Sequence, residues 1–309
     1  MRAVVLDGDS LGTDLSLREF ESLPITLTRY PTTSPEQINE RICDAEIVLV
    51  NKVVLNADAL AQAEKLRYVG VLATGTNNVD TKYCQQHGIR VNNVDGYGTD
   101  SVAQHAMMLL LNLATSFAPT TQQVKQGDWS RSPYFCLLDN PVIELAGKHL
   151  VIVGYGTLGQ RFAELARAFG MKVSVAARPG TTSAERRALD DLLPEADVVS
   201  LHCQLSPQTE KLINAERLAL MKPSALLINT ARGGLIDETA LVTALNEGQI
   251  AGAALDTLSV EPPPADHPLL QLDLPNLLIT PHSAWSAIEA RQRLVQIAAE
   301  RLQAFIEAD

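Results

Sequence analysis

The sequence is short of cysteine and has no long apolar run, and each shortage excludes a class of protein. The four cysteines are far apart and form no C-x-x-C pair, so neither a disulfide framework nor a zinc site is expected (Cys43, Cys84, Cys136 and Cys203). Isolated cysteines of this kind are typical of a reducing cytoplasm, where we expect the protein to work. The longest apolar candidate, residues 106–114, falls well below the roughly 18 residues that a membrane span requires.

Positive charge is also scarce. Acidic residues number 36 against 25 lysines and arginines, which gives a net charge of -11. Binding to phosphate groups needs a positive field, so neither a nucleic acid nor an anionic membrane is expected as a partner. The charge at Asp7 comes too early for a signal peptide, and residues 3–6 are predicted to form a first strand instead.

What is present is the composition of an ordinary globular protein. The 309 residues are 46% hydrophobic and 20% charged, and this length suggests two domains at about 150 residues each. Short β-branched runs alternate with helical patterns, which predicts parallel sheets wrapped by helices. A first set of strands is predicted at residues 3–6, 25–29, 47–50, 68–72 and 89–92. A second set is predicted at residues 149–153, 172–175, 198–201, 225–228, 252–255 and 277–279.

We therefore predict an α/β protein with two doubly wound parallel-sheet domains. A long helix over residues 101–118 lies between the two sets of strands, and a second long helix over residues 287–306 follows them. Both are suited to cross between domains, so that the C-terminal part of the chain returns to the first one. Residues 127–140 lack periodicity and contain three aromatic residues, which we interpret as a loop that packs on a partner subunit.

The strongest local motif is a glycine loop at residues 154–159, which reads Gly-Tyr-Gly-Thr-Leu-Gly. A predicted strand leads into it, and a predicted helix over residues 160–169 leaves it. The glycines of such a loop allow a tight turn, close approach of the backbone to a pyrophosphate, and close helix–strand contact. The helix N-terminus then offers N–H groups and a positive dipole end to the phosphates. In this strand–turn–helix context the motif predicts a dinucleotide-binding site rather than an ordinary turn.

The end of the next strand bears on which dinucleotide is bound. An acidic residue is expected there for NAD, but Ala177 and Arg178 follow the predicted strand at residues 172–175. Without the carboxylate the ribose 2′-hydroxyl loses its acceptor, and a 2′-phosphate is no longer repelled. Arg178 either pairs with that phosphate or is an exposed arginine in a turn. NADP(H) is therefore the favoured cofactor and NAD(H) the alternative.

Three polar residues of the second half lie beyond the ends of different strands, where open α/β sheets bind ligands: Arg232, Glu261 and His282. Such an arginine holds a substrate carboxylate, the histidine gives a proton to a ketone oxygen, and the glutamate orients the histidine and supports its cation. Taken singly, they are also explained as a strand-end cap, a solvated loop acid and a hydrogen-bonded loop histidine. Together with the glycine loop they predict a keto-acid reductase. Cys203 beside His202 forms no comparable pair, because adjacent strand residues point to opposite faces.

These motifs, in this order, resemble the D-isomer-specific 2-hydroxyacid dehydrogenases, and they look most like the glycerate dehydrogenase/hydroxypyruvate reductase branch. The resemblance covers nearly the whole chain and is carried by residues 73–80, 101–105, 154–159, 201–209, 229–234, 254–256, 261–262 and 281–285. It implies a flavodoxin-like substrate domain made of residues 1–99 plus 283–309. It also implies a Rossmann dinucleotide-binding domain at residues 100–282, and a homodimer built around that domain.

The resemblance also implies roles for single residues. Arg232, Glu261 and His282 would be the catalytic set, and Asp256 would bind the nicotinamide carboxamide. Contacts to the substrate would come from Lys52, Ala73, Thr74, Gly75, Arg232 and Trp285, although Trp285 is equally explained as a packing residue. Contacts to the cofactor would come from Gly154, Tyr155, Gly156, Thr157, Leu158, Gly159, Arg178, His202, Thr230, Ala231, Arg232, Asp256 and His282. No metal is implied.

The expected reaction is the reduction of a small 2-keto acid, hydroxypyruvate or glyoxylate, to the D-2-hydroxy acid. Hydride would come from the nicotinamide and the proton from His282, so reduction should fall as pH rises through the titration of this histidine. Two alternatives use the same fold. One is a dinucleotide-sensing, corepressor-like binding module, which the intact set of Arg232, Glu261 and His282 disfavours. The other is a dehydrogenase for another acid, such as phosphoglycerate or formate.

Overall fold

The computed structural model describes residues 1–178 and 186–308, and it divides the chain into two compact units. The first unit consists of Met1–Gly98 and Trp285–Asp309, and the second of Thr99–Ala284. The first unit is thus assembled from two segments that are far apart in the sequence, whereas the second is one continuous segment. Strands and helices are numbered below in chain order.

The first unit is a five-stranded parallel sheet with helices on both faces. Its strands are β1 (Arg2–Val5), β2 (Thr26–Arg29), β3 (Ile47–Val50), β4 (Tyr68–Val71) and β5 (Arg90–Asn92). Its helices are α1 (Arg18–Glu21), α2 (Ile38–Ile42), α3 (Ala57–Ala61), α4 (Thr81–Gln86) and α12 (Ile288–Glu307). The strand order β2-β1-β3-β4-β5 is the flavodoxin-like order, which confirms the predicted fold of this part. Strands β3 and β4 are buried along their whole length because both faces are covered.

Helix α12 completes one face of this sheet. Leu294, Val295 and Leu302 are fully buried in the cluster that also contains Phe20 and Tyr68. Their spacing of one, seven and eight residues places them on a single helix face. The C-terminal segment therefore belongs to the hydrophobic core of the N-terminal strands.

An ion pair also connects α12 to the segment that follows β1. Arg291 donates to both carboxylate oxygens of Asp14, at 2.6 and 2.8 Å, and to the carbonyl of Leu11 at 2.8 Å. The hydrogen bonds from Arg291 lower the pKa of Asp14 to about 2. Two parallel hydrogen bonds of this kind fix direction as well as distance, so the helix is held in one orientation relative to the segment that contains Asp14.

The second unit is a six-stranded parallel sheet. Its strands are β6 (His149–Val153), β7 (Lys172–Val175), β8 (Val198–Leu201), β9 (Leu226–Asn229), β10 (Gly252–Leu255) and β11 (Leu277–Ile279). Its helices are α5 (Thr99–Ala114), α6 (Phe117–Lys125), α7 (Asp128–Arg131), α8 (Thr157–Ala168), α9 (Leu189–Leu192), α10 (Ala215–Leu220) and α11 (Glu238–Asn246). The sheet order is β11-β10-β9-β8-β6-β7, and every pairing is parallel. This confirms the doubly wound, Rossmann-type prediction.

The position of the ligand site in the second unit follows from its strand order. The chain goes from β6 to β7 in one direction across the sheet and from β8 onward in the other. The loops that follow β6 and β8 therefore diverge at the carboxyl edge, and this topological switch point is where such sheets bind ligands. The glycine loop follows β6, and His202 follows β8.

Two predicted helices have different bounds in the structure. The helix predicted over residues 101–118 is interrupted, since α5 ends at Ala114 and α6 begins at Phe117. Ser116 between them has a φ of 48°, a left-handed conformation that cannot continue a right-handed helix. The helix predicted to begin at residue 160 begins at Thr157, within the glycine motif itself. Residues 127–140, predicted to be a loop, contain only the short helix α7.

In residues 1–178 and 186–308, no helix combines the length and the apolar character that crossing a bilayer requires.

Candidate active site

The glycine loop has the steric features that the sequence predicted. Gly154 has a φ of 94°, and a Cβ atom there would lie 2.6 Å from the backbone nitrogen of Cys203. A Cβ atom at Gly159 would overlap the carbonyl of Gly154, so helix α8 packs directly on the turn. At Gly156 an added Cβ would meet no atom within 4 Å. The first and third glycines are thus required by the protein's own backbone, and the second leaves open space.

This open space lies at the N-terminus of α8. Thr157 and Leu158 are the first residues of the helix, and Gly156 at its N-cap has no side chain to occupy the position. The N–H groups of a first turn have no partner inside the helix, and the helix dipole adds a partial positive charge. Together they form a site for an anion such as a pyrophosphate. Tyr155 is half-buried in the turn and packs on the core beneath α8.

His202 lies on the loop that follows β8, opposite the glycine turn. Its backbone N–H donates to the carbonyl of Val153 at 2.8 Å, and its Nε2 atom is 2.8 Å from the hydroxyl of Ser200. Burial lowers the pKa of His202 to about 4, because a low-dielectric site disfavours the imidazolium. His202 is therefore neutral at pH 7, which suits a wall of the cofactor site and not a proton donor.

The thiol next to His202 is not an activated nucleophile. Burial raises the pKa of Cys203 to about 11, so the reactive thiolate is scarcely populated at neutral pH. The thiol of Cys203 is therefore unsuited to form a nucleophilic pair with His202.

The loop that follows β9 carries Thr230, Ala231 and Arg232. Asn229 is fully buried at the end of the strand, and its side chain donates to the carbonyl of Arg232 at 2.9 Å and accepts from Ala231 N–H at 3.0 Å. The Asn229 side chain thus supplies hydrogen bonds to the backbone at the point where pairing with the neighbouring strands ends. The backbone at Arg232 is held in place, while its side chain is exposed at the carboxyl edge.

Two buried hydroxyls at this edge test whether a nicotinamide dinucleotide fits. Thr230 and Thr257 are 8% and 3% exposed, and within the described part of the chain their Oγ1 atoms have no hydrogen-bond partner. Buried hydroxyls are seldom left unpaired without a reason. They follow the neighbouring strands β9 and β10, on the same edge as the open position at Gly156. Unpaired polar atoms and open space at one sheet edge are what a polar ribose and nicotinamide amide would fill.

Glu261 and His282 form the one ion pair of the predicted catalytic set. Nδ1 of His282 donates to Oε2 of Glu261 at 2.6 Å, and Oε1 of Glu261 accepts the N–H of Leu258 at 3.0 Å. Both side chains remain about one third exposed, at 31% and 34%. The pair therefore has a fixed geometry and access to solvent or substrate. Glu261 is therefore not a freely solvated acid, and His282 is not an isolated loop residue.

His282 has a strained backbone that its own loop maintains. Its φ is 51°, a left-handed conformation that costs a non-glycine residue roughly 1–2 kcal/mol. Its N–H donates to the carbonyls of Asp256 and Thr280, at 2.8 and 2.9 Å. Strain of this kind persists where the surroundings over-determine it, and it is found disproportionately at functional sites.

Asp256, predicted to contact the nicotinamide carboxamide, is 1% exposed and already has several partners. Its Oδ1 atom accepts from the Thr280 hydroxyl and from Ser283 N–H, at 2.6 and 2.9 Å. Its Oδ2 atom accepts from Ala284 N–H at 2.9 Å. The carboxylate thus binds the loop that carries His282. A second lone pair on Oδ2 is the position from which it would accept a bond from a ligand amide.

Arg178 is the last described residue before residues 179–185. It follows β7 after Ala177, and its side chain is exposed. The rest of the turn on which the cofactor argument drew, including residues 179–182, lies outside the described residues. The preference for NADP(H) depends mainly on the missing carboxylate at position 177, which the sequence itself shows.

The predicted substrate contacts of the first unit lie on loops that follow β3 and β4. The loop at Lys52 is held by Asp7, whose carboxylate accepts the N–H groups of Asn51, Lys52 and Val53 at 2.9, 2.6 and 3.1 Å. Asn78 donates to the carbonyls of residues 51 and 53, at 3.3 and 2.9 Å. The backbone of this loop is therefore rigid, while the Lys52 side chain is exposed.

The loop after β4 is anchored in a similar way. The carbonyl of Ala73 accepts from Val94 N–H at 3.0 Å, and the hydroxyl of Thr74 donates to the carbonyl of Val94 at 2.9 Å. These bonds present Thr74 and the half-buried Gly75 at the carboxyl edge of the first sheet. Trp285 packs partly against the core of this unit, which supports its interpretation as a packing residue.

Sequence reasoning missed four residues that the structure connects to these loops: Asp7, His105, Thr257 and Thr280. Thr257 lies two residues beyond the end of β10, so its position at the carboxyl edge was a usable signal. His105 and Thr280 are hydrogen-bonded across 175 residues of sequence, and no local spacing announces such a contact.

Known proteins resemble the chain over its full length. Residues 107–284 match the family model described as "D-isomer specific 2-hydroxyacid dehydrogenase, NAD binding domain". A glycerate dehydrogenase of Methylorubrum extorquens is 42% identical over 309 residues, which cover 99% of this chain and 96% of the relative. A hydroxypyruvate reductase of Blautia hydrogenotrophica is 41% identical over 315 residues, which cover 99% and 97% of the two chains.

Solved structures share the fold. A D-lactate dehydrogenase of Aquifex aeolicus in complex with NAD and lactic acid has a TM-score of 0.85 and 27% identity, with 100% and 96% of the two chains covered. An NADPH-dependent glyoxylate/hydroxypyruvate reductase of Sinorhizobium meliloti in complex with NADP and malonate has a TM-score of 0.80 and 27% identity, with 99% and 94% covered. The similar structures thus include complexes with either dinucleotide.

Proposed function

The chain belongs to the D-isomer specific 2-hydroxyacid dehydrogenases, an oxidoreductase family with an NAD-binding domain, and from this premise we propose that it reduces hydroxypyruvate or glyoxylate to the D-2-hydroxy acid. The observation that carries the proposal is the 2.6 Å hydrogen bond between His282 and Glu261. It gives the second unit a positioned proton donor at the same sheet edge as the glycine loop. The names of the relatives from Methylorubrum extorquens and Blautia hydrogenotrophica support the choice of substrate.

A bound nicotinamide dinucleotide supplies the hydride in such a reaction. The chain's own residues handle the proton and the substrate charge. Because Nδ1 of His282 donates to Glu261, the proton for the ketone oxygen comes from Nε2 of the imidazolium. The carboxylate of Glu261 fixes the orientation of the ring and stabilises its positive charge.

Arg232 binds the substrate carboxylate, because a guanidinium forms paired, charge-assisted hydrogen bonds with a planar anion. The side chain is exposed at the carboxyl edge of the second sheet and has a fixed backbone. Lys52, Ala73, Thr74 and Gly75 are further proposed substrate contacts from the first unit, which we assign as the substrate domain. The anchored loops on which they lie support this assignment. Trp285 is proposed to limit substrate size.

The cofactor proposed is NADP(H), with NAD(H) as the alternative. Position 177 provides no carboxylate for a ribose 2′-hydroxyl, and Arg178 provides a positive charge beside it. The remaining proposed contacts are those of the glycine loop, the neutral His202, Thr230, Ala231 and Asp256. Thr257 is added to this set because its buried hydroxyl has no partner among the described residues.

We also propose a homodimer in the cytoplasm. Several large apolar side chains of the second unit are exposed, which is costly in water and typical of a protein interface: Phe117, Val124, Trp129, Tyr134, Phe135, Leu138 and Val142. Phe135 alone is 91% exposed. All four cysteines are free thiols, which fits a reducing compartment. Light scattering of the purified protein tests the dimer.

The proposed function is tested by the steady-state oxidation of NADPH and NADH at equal concentration, with hydroxypyruvate and with glyoxylate. Turnover with either keto acid supports the reductase, and a higher rate with NADPH supports the cofactor proposal. A clear preference for NADH keeps the reductase and rejects the role of Arg178. Tight dinucleotide binding without turnover of either acid contradicts the proposed function and favours the binding module.

A further inference from the structure

The segment Ser101 to His105 of helix α5 contributes to the resemblance noted above but has no role in the reaction as derived so far. The two polar residues at its ends are four positions apart, so they lie on the same face of the helix. Each one contacts the loop of residues 280–284, at whose centre His282 stands. Both contacts lie within the second unit.

The first contact is a hydrogen-bond chain that starts at His105. Its Nε2 atom is 2.9 Å from the hydroxyl of Thr280, and that hydroxyl donates to Oδ1 of Asp256 at 2.6 Å. A hydroxyl has a single proton, so Thr280 accepts from His105, and Nε2 of His105 carries the hydrogen. The direction of the chain is therefore from His105 through Thr280 to Asp256.

Asp256 in turn forms hydrogen bonds with the backbone next to His282. Its two carboxylate oxygens accept the N–H groups of Ser283 and Ala284, both at 2.9 Å. His105 also contacts this carboxylate directly, because its Nε2 atom is 3.3 Å from Oδ1 of Asp256. Burial alone would raise the pKa of Asp256, but the hydrogen bonds from His105, Thr280 and the two N–H groups outweigh it and lower the pKa below its usual value. The carboxylate thus stays ionised, which strengthens every bond that it accepts.

The second contact closes the far end of the loop. The hydroxyl of Ser101 donates to the carbonyl of Ala284 at 2.6 Å. Together the two contacts hold the loop before and after His282, and between them His282 keeps its φ of 51°. The ring itself is also held by its hydrogen bond to Glu261.

We propose that Ser101 and His105 of α5 are positioning residues, which act through Thr280 and Asp256 to hold His282 in its strained conformation and so aim its proton at the substrate. The inference rests on the proposed function, because it assigns to His282 the transfer of that proton. Misplacement of a reacting group by about 1 Å costs roughly 100-fold in rate, so the loss of one link should be measurable.

The test compares four variants with the wild type. His105→Leu and Thr280→Val each remove a link and preserve approximate volume. His105→Gln is the conservative rescue, because its side-chain amide is able to donate to Thr280 in place of Nε2. Gln104→Ala is the matched control, since Gln104 is the exposed neighbour of His105 on the same helix. Rates with hydroxypyruvate are expressed per NADPH-binding site, titrated by cofactor fluorescence, so that a partly unfolded sample does not mimic an effect.

We expect kcat to fall about 10-fold or more in His105→Leu and Thr280→Val, with KM for hydroxypyruvate and Kd for NADPH within about twofold of the wild type. His105→Gln should recover most of the rate, and Gln104→Ala should not change it. Unchanged kcat in both link variants would overturn the proposal, as would an equal loss in His105→Gln and His105→Leu.

A second measurement separates this inference from the proposed function. Hydrogen exchange of the peptide that contains residues 282–284 reports directly on the N–H groups held by Asp256 and needs no turnover. Faster exchange in His105→Leu and Thr280→Val, but not in Gln104→Ala, supports the constraint even if the wild type reduces neither keto acid. Equal exchange in all of them overturns it, whatever the wild-type activity.

Discussion

The imidazole of His282 and the carboxylate of Glu261 are joined by a 2.6 Å hydrogen bond from Nδ1 to Oε2, between loops that follow the adjacent strands β11 and β10. The second carboxylate oxygen accepts the N–H of Leu258. The glutamate is thus held at both oxygens, and it orients the ring without the entropy cost of ordering a mobile side chain. This relationship holds the two loop residues in the geometry that the proposed proton transfer requires.

Removal of the proton donor should abolish most of the activity and weaken cofactor binding far less, because His282 is one of many proposed cofactor contacts. Replacement of a general acid typically lowers the rate by about 100- to 10,000-fold. We expect this loss in kcat for His282→Ala with hydroxypyruvate, and a smaller one for Glu261→Gln, which keeps the shape but not the charge. NADPH fluorescence titration measures cofactor binding, and Glu289→Gln on the exposed first turn of α12 is the control. Near-normal turnover by His282→Ala would show that another group supplies the proton.

Two glycines of the loop should respond to alanine in opposite ways. At Gly156 a Cβ atom meets only open space, so Gly156→Ala should leave the melting temperature nearly unchanged. It should weaken dinucleotide binding about 10-fold or more, because the new methyl group occupies the position where the pyrophosphate approaches. At Gly154 the φ of 94° alone costs roughly 1–2 kcal/mol, so Gly154→Ala should lower the melting temperature. Tight NADPH binding by Gly156→Ala would place the phosphates elsewhere.

A single carboxylate at the end of β7 should reverse the cofactor preference. Ala177→Asp places a negative charge where it accepts from a ribose 2′-hydroxyl and repels a 2′-phosphate. We expect the ratio of kcat/KM for NADPH to that for NADH to fall about 100-fold, which is about 3 kcal/mol. Ala177→Asn is the matched control, because it offers an acceptor of the same size without the charge. Equal ratios in the wild type and Ala177→Asp would mean that position 177 does not face the ribose.

The half-buried His202 should make the protein less stable in acid. Its pKa is about 4 in the folded protein and about 6.5 when unfolded, so the unfolded state takes up a proton first as pH falls. The contribution of neutral His202 to the free energy of unfolding is complete above about pH 6.5. It is lost as pH falls towards 4, which lowers the free energy of unfolding by about 3 kcal/mol. His202→Gln should flatten this part of the pH dependence of urea unfolding. The exposed His87 serves as control through His87→Gln, and equal slopes in the wild type and His202→Gln would contradict the prediction.

The fold followed from the sequence, and the location of the proposed site could be predicted from it, because both depend on local patterns. Alternating strands and helices require parallel sheets, and a parallel sheet places all carboxyl strand ends on one edge. Arg232, Glu261 and His282 each follow a strand, so their common edge was predictable without coordinates. The glycine motif was recognisable for the same reason, since its steric demands act over six residues.

The hydrogen bonds that hold the loops of the proposed site in place were not predictable, because they join residues that are far apart in the sequence. His105 is an ordinary position on an apolar helix, and only the packing of α5 beside the end of β11 brings it to Thr280. Asp7 holds the loop of Lys52 across more than 40 residues of sequence. The break at Ser116 was missed because nothing in the apolar pattern distinguishes a left-handed residue from a helical one.

The two-segment construction of the first unit has a consequence for the order in which the protein folds on the ribosome. Its sheet is complete once Asn92 has been made, yet the face covered by Leu294, Val295 and Leu302 stays open until α12 is synthesised. At ordinary rates the intervening residues take on the order of 10 to 40 seconds to make. The second unit is continuous and meets no such delay. The part of the chain that is made first is therefore completed after the second unit, and its apolar face stays uncovered during this interval.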